Sequence, residues 1–369
     1  MAADPSPCSA QPKFVKRKSI LDIPHAHNAA MGKRAKVVLA LLAVALVGVI
    51  VWQTWRPHEP VYEGKPLSFW LKGYTPRGLG EAEEKADDAV RQAGSNAVPT
   101  LLQLVWAKDS ALKVKLMTLA KGQHFIQFTP AEYWHRAAII AFEVLSTNAQ
   151  SAVPTLLQWT TTNVDVNVRS TAISALGAIH AQPHLVVPVL TNALQDPSSD
   201  TRERAVSALG QFGRDAEVAV PALLDFLNAP QNSNSMWFAI TALKHVDPAA
   251  AAGEMLRWAT NANFQLRLFA IVNLGDIHVE PDRAVPLLIN SLHDPIPHIP
   301  PNAVVALGRF GPEAKLAVPA LVEFLNTYTG NSPFQYVARS YATNALKAID
   351  PEAAAKAGIT NNPLKSPSK

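Results

Sequence analysis

The 369-residue sequence is 48% hydrophobic and only 17% charged, which excludes an intrinsically disordered chain. Its formal charge of +4 is concentrated in residues 1–36, where seven Lys or Arg face two Asp, a net charge of +5 that leaves −1 for the rest of the chain. A near-neutral body argues against nucleic-acid binding, which needs clustered cations. The single cysteine, Cys8, excludes an internal disulfide and a cysteine-rich zinc site.

The first element predicted along the chain is a transmembrane helix over residues 37–55. Val37 to Trp52 has sixteen successive residues without a formal charge. At about 1.5 Å per residue the full stretch would be roughly 28 Å long, close to the thickness of the hydrocarbon core of a bilayer. Trp52 and Trp55 fall at one end, where indole rings favour the lipid–water boundary. A cleaved signal peptide is the alternative, but the long preceding tail and the absence of a small-residue cleavage site disfavour it.

The basic residues set the predicted orientation of this helix. Because cytoplasmic segments carry the excess of Lys and Arg, residues 1–36 are predicted to be a disordered cytoplasmic tail. The rest of the protein would then be extracytoplasmic, and periplasmic if the cell is Gram-negative. Residues 56–80 are predicted to be a linker that contains a short aromatic segment, Tyr62 to Leu71.

An internal repeat occupies residues 81–360. Its marker is Val-Pro-x-Leu or a close variant, and from Pro154 onward the prolines are separated by 34, 33, 65 and 33 residues. The interval of 65 is two periods, with Gly253 in the place of proline. A Leu-Gly marker begins twelve residues before most of these positions. Proline is tolerated in the first turn of a helix and glycine is favoured near a helix end, so each unit is predicted to contain two helices, with a Val-Pro start for the first.

This pattern resembles that of HEAT repeats. Asp196 and Arg202 stand where HEAT repeats place an Asp and an Arg that bridge adjacent units, and Arg267 occupies the arginine position of a later unit. Arg169 is one residue late by its distance from the preceding proline, and Pro300 replaces another arginine. The resemblance therefore implies an incomplete ladder of ties between units.

The resemblance implies an all-α fold, a right-handed α-solenoid of about seven HEAT-like helix pairs with a period of about 33 residues, preceded here by the transmembrane helix. The similar proteins are membrane-anchored bacterial HEAT proteins without an assigned function. Residues 107–130 exceed the period and are predicted to be an insertion, and the loop over 327–333 is lengthened. Residues 361–369 are predicted to be a disordered tail.

Nothing in the sequence matches the patterns of common active sites, such as the phosphate-binding GxxxxGK[ST], the nucleophile elbow GxSxG or the zinc-binding HExxH. His180 and His184 have the spacing of metal ligands, but Pro183 between them disfavours a shared helical face. We therefore expect no enzyme activity, no cofactor, no metal and no small-molecule substrate. A homo-oligomeric structural protein of the cell envelope and an enzyme similar to HEAT-repeat bilin lyases are the alternatives.

The expected function is that of a membrane-anchored scaffold whose solenoid binds a protein or peptide partner. Second helices usually line the concave face of HEAT-type solenoids, so equivalent positions form rows along that face. Aromatic side chains gather in the later units of these rows, and they are typical anchors for a partner segment. Core packing between units is the alternative role for the same residues. The predicted partner-binding residues are Trp237, Phe238, Leu268, Phe269 and Tyr341.

Overall fold

The computed structural model of the protein describes residues 59–74, 80–119, 128–328 and 332–358. All of them belong to the second of the two units into which the chain divides, His58–Lys369. Their regular secondary structure is helical apart from one short hairpin at the start. The predicted cytoplasmic tail, transmembrane helix and C-terminal tail, residues 1–36, 37–55 and 361–369, lie outside the described residues.

The predicted fold class is confirmed as an all-helical repeat array but is corrected on the membrane span. Among the helices that the structure describes, none is long and apolar enough to cross a bilayer. The longest of them, Pro333–Ile349, has 17 residues and includes Arg339 and Lys347. The predicted localisation, a single-pass membrane protein with an extracytoplasmic solenoid, is corrected on the same finding.

A hairpin and a short helix precede the array. Strands β1 (Val61–Tyr62) and β2 (Lys65–Pro66) pair antiparallel. The turn between them places Glu63 and Gly64 at positive φ, 46° and 75°, a conformation that glycine adopts without steric cost. Helix α1 (Leu67–Trp70) follows directly.

This N-terminal segment packs on the first helix of the array, α2 (Glu81–Ala93). Leu67, Leu71 and Tyr74 are buried there. The Tyr74 hydroxyl donates to Asp87 Oδ1 at 2.9 Å, and burial together with this hydrogen bond raises the pKa of Tyr74. The aromatic segment that the sequence assigned to a linker is therefore a cap on the apolar end of the array.

Helices account for nearly all of the array. After α2 the described helices are, in chain order, α3 (Val98–Val105), α4 (Ala111–Leu119), α5 (Ala131–Leu145), α6 (Val153–Gln158), α7 (Val166–Ile179), α8 (Pro183–Ala193), α9 (Ser199–Phe212), α10 (Val220–Asn228), α11 (Met236–Val246), α12 (Pro248–Trp258), α13 (Phe264–Ile277), α14 (Pro281–Ser291), α15 (Ile299–Phe310), α16 (Val318–Thr327), α17 (Pro333–Ile349) and α18 (Pro351–Lys356).

The helices form seven consecutive pairs within the described residues. The first and second helices of these pairs are α3 and α5, α6 and α7, α8 and α9, α10 and α11, α12 and α13, α14 and α15, and α16 and α17. Helix α2 is a further second helix before the first pair, and α18 is a further first helix after the last. Each first helix carries a proline in its first turn, where the missing N–H would have no helical partner.

Two of the predicted helix starts are corrected. Pro188 and Pro286 lie inside α8 and α14, which begin one turn earlier at Pro183 and Pro281. In both cases the preceding residue has a left-handed conformation, which turns the chain sharply enough to begin the helix early. The second proline then removes one hydrogen bond near the start of the helix without ending it.

From α7 onward the turns that join one pair to the next are of three kinds, and the three recur in the same order. In one kind of turn, the second helix of a pair ends in a histidine with a left-handed backbone. In another, a glycine at positive φ follows that helix. In the remaining kind, an aspartate caps the helix that begins the next pair. Helices α7 to α12, the first block, and α13 to α18, the second block, therefore share one design. The turn residues are His180, Gly213 and Asp247 in the first block and His278, Gly311 and Asp350 in the second.

Second helices of neighbouring pairs approach each other closely at four junctions, which we call the close junctions. At each of them a glycine faces an alanine of the next second helix. A Cβ atom on any of these glycines would lie 2.8 to 3.0 Å from the alanine Cα, closer than nearly all real Cβ contacts. The pairs are Gly177 with Ala208, Gly210 with Ala242, Gly275 with Ala306 and Gly308 with Ala345.

The junction between α11 and α13, where the two blocks meet, is different, and we call it the open junction. Lys244 stands in the glycine position and the buried Asn273 in the alanine position. These larger side chains prevent a close approach, and α11 and α13 contact each other mainly through side chains and through α12 between them. Lys244 Nζ lies 3.9 Å from Asp276 Oδ2 across the junction.

Large aromatic rings fill the space at the open junction. The Phe269 ring on α13 lies 6.2 Å from that of Trp237 on α11 and 6.1 Å from that of Trp258 on α12. Trp258 is only 4% exposed. Aromatic packing therefore replaces the backbone contact that glycine provides elsewhere.

The predicted insertion over 107–130 contains α4, an additional helix. None of its nine residues is buried, and its exposed side chains include Leu112, Val114, Leu116 and Leu119. Residues 120–127 of the insertion and 329–331 of the lengthened loop lie outside the described residues.

Candidate functional site

The predicted partner-binding residues of α11 are exposed. Trp237 and Phe238 lie in the first turn of this helix, with 54% and 46% of their surfaces accessible. Tryptophan and phenylalanine side chains are usually buried to a greater extent. Packing within the chain therefore does not account for these two adjacent aromatic rings on the surface.

Phe238 lines two neighbouring cavities on the surface formed by the second helices. The smaller has a volume of about 340 Å³ and reaches from α5 across α7 and α9 to α11. The larger has a volume of about 500 Å³ and lies between α9 and α11. The smaller cavity is lined by Ile139, Ser174, Asp200, Glu203, Arg204, Ser207, Ala208, Gln211 and Phe238, and the larger by Ser207, Gly210, Gln211, Trp237, Phe238, Thr241, Ala242 and His245.

Three charged side chains line the smaller cavity, and two of them neutralise each other. Arg204 Nε donates to both carboxylate oxygens of Asp200, at 3.1 and 3.0 Å, and Arg204 Nη1 donates to the Ser174 hydroxyl at 3.2 Å. The third group, Glu203, is half-buried and accepts a hydrogen bond from the Ser235 hydroxyl at 2.5 Å. The lining consequently carries a net charge of −1.

Uncharged polar groups complete the lining of the two cavities. The side chains of Ser207, Gln211 and Thr241 have no hydrogen-bond partner in the part of the chain that the structure describes. They are free to bond with the backbone of a bound segment. The surface thus combines exposed aromatic rings with donors and acceptors that are not used internally, which is the composition of many binding sites.

Leu268 and Phe269, predicted to bind a partner as well, have a different environment. Both are partly buried and pack against the hydrophobic core. Phe269 joins the ring cluster of the open junction, together with the buried Trp258. Trp258 was missed in the sequence, although Leu256 and Trp258 are large apolar residues at the end of a first helix, which indicates packing there. For these two predicted residues the structure favours packing between units.

Tyr341, the last predicted partner-binding residue, lies apart from the cavities. It belongs to α17 and is 41% exposed. Phe334 and Val337 of the same helix are exposed to a similar extent. Because none of these residues lines either cavity, the structure does not bring Tyr341 together with Trp237 and Phe238.

The predicted ties between units follow one geometry, in which an arginine of a second helix reaches the loop of the following pair. Asp196 accepts two hydrogen bonds from Arg169, at 2.8 and 3.1 Å, and this ion pair is buried. Arg202 Nε donates to Asn232 Oδ1 at 3.2 Å, while its Nη1 donates to the Asp196 backbone carbonyl at 2.8 Å. Arg169, one residue late by sequence distance, nevertheless makes the tie, because the loop before α7 takes up the additional residue.

Arg267 makes the equivalent tie in the second block. It donates to both carboxylate oxygens of Asp294, at 2.8 and 3.1 Å. Burial alone would raise the pKa of Asp294, but the hydrogen bonds from Arg267 and from the Ile296 amide outweigh it, and the pKa lies below its ordinary value. Met236 and Pro300 stand at the arginine position of α11 and α15, so those helices lack this tie.

Two histidines of the described residues, His180 and His278, serve local structure. His180 and His278 end their helices in the left-handed conformation, and their rings contact Phe212 and Phe310 at 4.9 and 4.8 Å. His278 Nε2 also lies 2.7 Å from Glu313 Oε2. Within the described ranges no group of three or more His, Cys, Asp or Glu could hold a metal ion.

Comparison with known proteins identifies the repeat. Residues 153–244 match a family model described as HEAT repeats. A search among curated proteins gave no match. Among solved structures, the chain is similar to the complex of CpcE and CpcF of phycocyanin lyase from a Nostoc species, with 18% identity, a TM-score of 0.31, and coverage of 64% of this chain and 95% of that chain.

Two further structures extend this comparison. Importin beta shares 14% identity over 78% of this chain and 40% of its own, with a TM-score of 0.47. An archaeal HEAT-like repeats protein from Thermococcus onnurineus shares 15% identity over 61% of this chain and 100% of its own, with a TM-score of 0.39. Similarity at this level of identity does not transfer an activity.

Proposed function

We propose, from the premise that this chain is a HEAT-repeat protein, that the surface of its second helices binds a segment of a partner protein at α11. In this proposal the protein acts by binding, as a scaffold without catalysis. Trp237 and Phe238 provide the apolar anchors, and the two cavities beside Phe238 accept side chains of the partner.

The observation that carries the proposal is the exposure of two adjacent aromatic rings beside cavities with unused polar groups. Covering Trp237 and Phe238 removes a large apolar area from water, and aromatic side chains lose little conformational entropy when they are fixed. Ser207, Gln211 and Thr241 can meanwhile bond with the partner's backbone, which would otherwise lose hydrogen bonds to water.

The test is a selection of random twelve-residue peptides on the full-length protein. We expect selected peptides to bind the wild-type chain and to lose roughly tenfold or more in affinity for each of Trp237→Ala and Phe238→Ala, because truncated aromatic anchors have effects of this size. Melting temperatures of both variants should stay close to the wild-type value, since both rings are half-exposed.

The matched control is Phe69→Ala, which removes an aromatic ring of similar exposure, 45%. Phe69 lies in the N-terminal cap, distant from α11 in the sequence. This variant should bind the selected peptides as the wild-type chain does. Failure to select any peptide, or peptides that bind the Trp237→Ala and Phe238→Ala variants unchanged, would contradict the proposal. Light scattering separates self-association from partner binding: a wild-type dimer that Trp237→Ala converts to a monomer would assign the surface to a second copy of the chain.

A further inference from the structure

Glu203 is a charged group without an opposite charge. Its carboxylate lines the smaller cavity on α9, is half-buried, and has the Ser235 hydroxyl as its side-chain hydrogen-bond partner. No cation pairs with it among the residues that the structure describes. A half-buried carboxylate in this situation still depends on water for most of its solvation.

The nearby arginine is not available to compensate Glu203. Arg204 is held by both carboxylate oxygens of Asp200 and by the Ser174 hydroxyl of α7. Lys244 of the adjacent helix α11 lies toward Asp276 at the open junction. The smaller cavity therefore keeps its net charge of −1 when it is occupied.

This charge restricts what can cover the cavity. A partner with only apolar side chains would strip water from Glu203 and give nothing in return, and the cost of desolvating an unpaired carboxylate would offset the gain from burying Phe238. A guanidinium or ammonium group would pair with the carboxylate, while its aliphatic stem would cover the Phe238 ring. An aromatic face also attracts a cation directly.

We propose that the partner segment carries an arginine or lysine next to an apolar residue, with the cation paired with Glu203 and the apolar side chain against Trp237 and Phe238. This inference rests on the proposed function, because it names the chemistry of the segment that the same surface binds. Glu203 is then the residue that determines specificity, while the aromatic rings provide affinity.

The experiment uses the peptides selected on the wild-type full-length chain and the variant Glu203→Gln, which keeps the size of the side chain and its acceptor for Ser235. We expect arginine or lysine to be enriched beside an apolar position in the selected peptides. Affinity should fall by about tenfold or more in Glu203→Gln, and it should weaken with added salt in the wild-type chain. Replacing the peptide's basic residue by glutamine should have the same effect as the variant.

Two controls make the result specific. Glu217→Gln removes the same charge from an exposed position outside both cavities and should leave the affinity unchanged. Glu203→Lys should reverse the preference, so that peptides with glutamate in place of the basic residue bind better than the originals.

The outcomes separate this inference from the proposed function. Peptides that depend on Trp237 and Phe238 but show no basic residue, or that bind Glu203→Gln with unchanged affinity, would overturn the charge preference and leave segment binding in place. Peptides that are indifferent to both aromatic residues would overturn the proposed function itself. Enrichment of basic residues, loss in Glu203→Gln and reversal in Glu203→Lys together support the inference.

Discussion

The close junctions and the open junction join the same kind of second helix by different contacts. At a close junction such as that of α13 and α15, Gly275 lets the backbone of Ala306 approach directly. At the open junction of α11 and α13, Lys244 and Asn273 occupy the equivalent positions, and aromatic rings from three helices fill the wider space.

The difference teaches that loss of the two small residues of a junction changes what it presents to the solvent. Where backbones touch, the small residues leave space between neighbouring helices, and Ala208, Gly210 and Ala242 line the two cavities of the candidate site. Where they are held apart, large side chains must bridge the space, and those at its rim remain exposed. Trp258 fills the interior of the open junction, whereas Trp237 lies at its rim and adjoins the candidate site.

The largest effect is expected at the open junction itself. Trp258→Ala should lower the free energy of unfolding by roughly 3–5 kcal/mol, because it removes a nearly fully buried ring and leaves a cavity. Trp237→Ala, at the rim, should cost less than about 1 kcal/mol. Chemical denaturation of both full-length variants measures the difference. Equal losses in the free energy of unfolding would contradict the placement of Trp258 in the interior of the junction and of Trp237 at its rim.

The next effect concerns a close junction, that of α7 and α9, where the buried Arg169 reaches Asp196. Arg169→Ala should cost about 3 kcal/mol, because the buried Asp196 carboxylate loses its cation. The Ser198 amide still donates to this carboxylate at 2.8 Å, which limits the loss. Arg204→Ala, which breaks a more exposed ion pair with Asp200, is the control and should cost about 1 kcal/mol or less. A loss no larger than that of the control would be inconsistent with a buried tie.

A smaller effect is expected from adding one methyl group to a close junction. Gly275→Ala should destabilise the protein by about 1–3 kcal/mol, because the new Cβ would overlap the backbone of Ala306. Gly253→Ala is the matched control in α12, where a Cβ would meet nothing within 4 Å, and it should stabilise the helix by up to about 1 kcal/mol. Thermal melts show whether each substitution raises or lowers the melting temperature. A stabilising Gly275→Ala would refute the account of the close junctions.

The smallest effect is a pH dependence in the second block. The pKa of Asp294 is lowered in the folded protein from its ordinary value of 3.8, so its tie to Arg267 adds stability above that pH and loses it as the pH falls through the folded pKa. The wild-type chain should therefore lose stability more steeply than Asp294→Asn below about pH 4. Urea denaturation at several acidic pH values measures the slopes, and parallel slopes would rule out this contribution.

The sequence by itself determined the repeat and much of its local structure. The alternation of Val-Pro and Leu-Gly markers predicted helix pairs, because proline and glycine have strong positional preferences that act within a few residues. The offsets of Asp196, Arg202 and Arg267 placed these side chains in the loops and second helices where the structure has them. The repeat register selected Trp237 and Phe238, which line the larger cavity, but it also selected Leu268 and Phe269, which pack against the core.

Only the tertiary structure decided which side chains of each pattern meet. The sequence does not distinguish the aromatic residues Trp237, Trp258 and Phe269. In the structure Trp237 is half-exposed, Trp258 is buried and Phe269 is partly buried, because exposure depends on how far apart α11 and α13 stand. The isolation of Glu203 likewise depends on Arg204 turning to Asp200 and Ser174 rather than to its neighbour. The contacts of Arg204 with Ser174 and of Glu203 with Ser235 join residues about 30 positions apart, and helix packing fixes them, whereas local sequence preferences extend over only a turn or two.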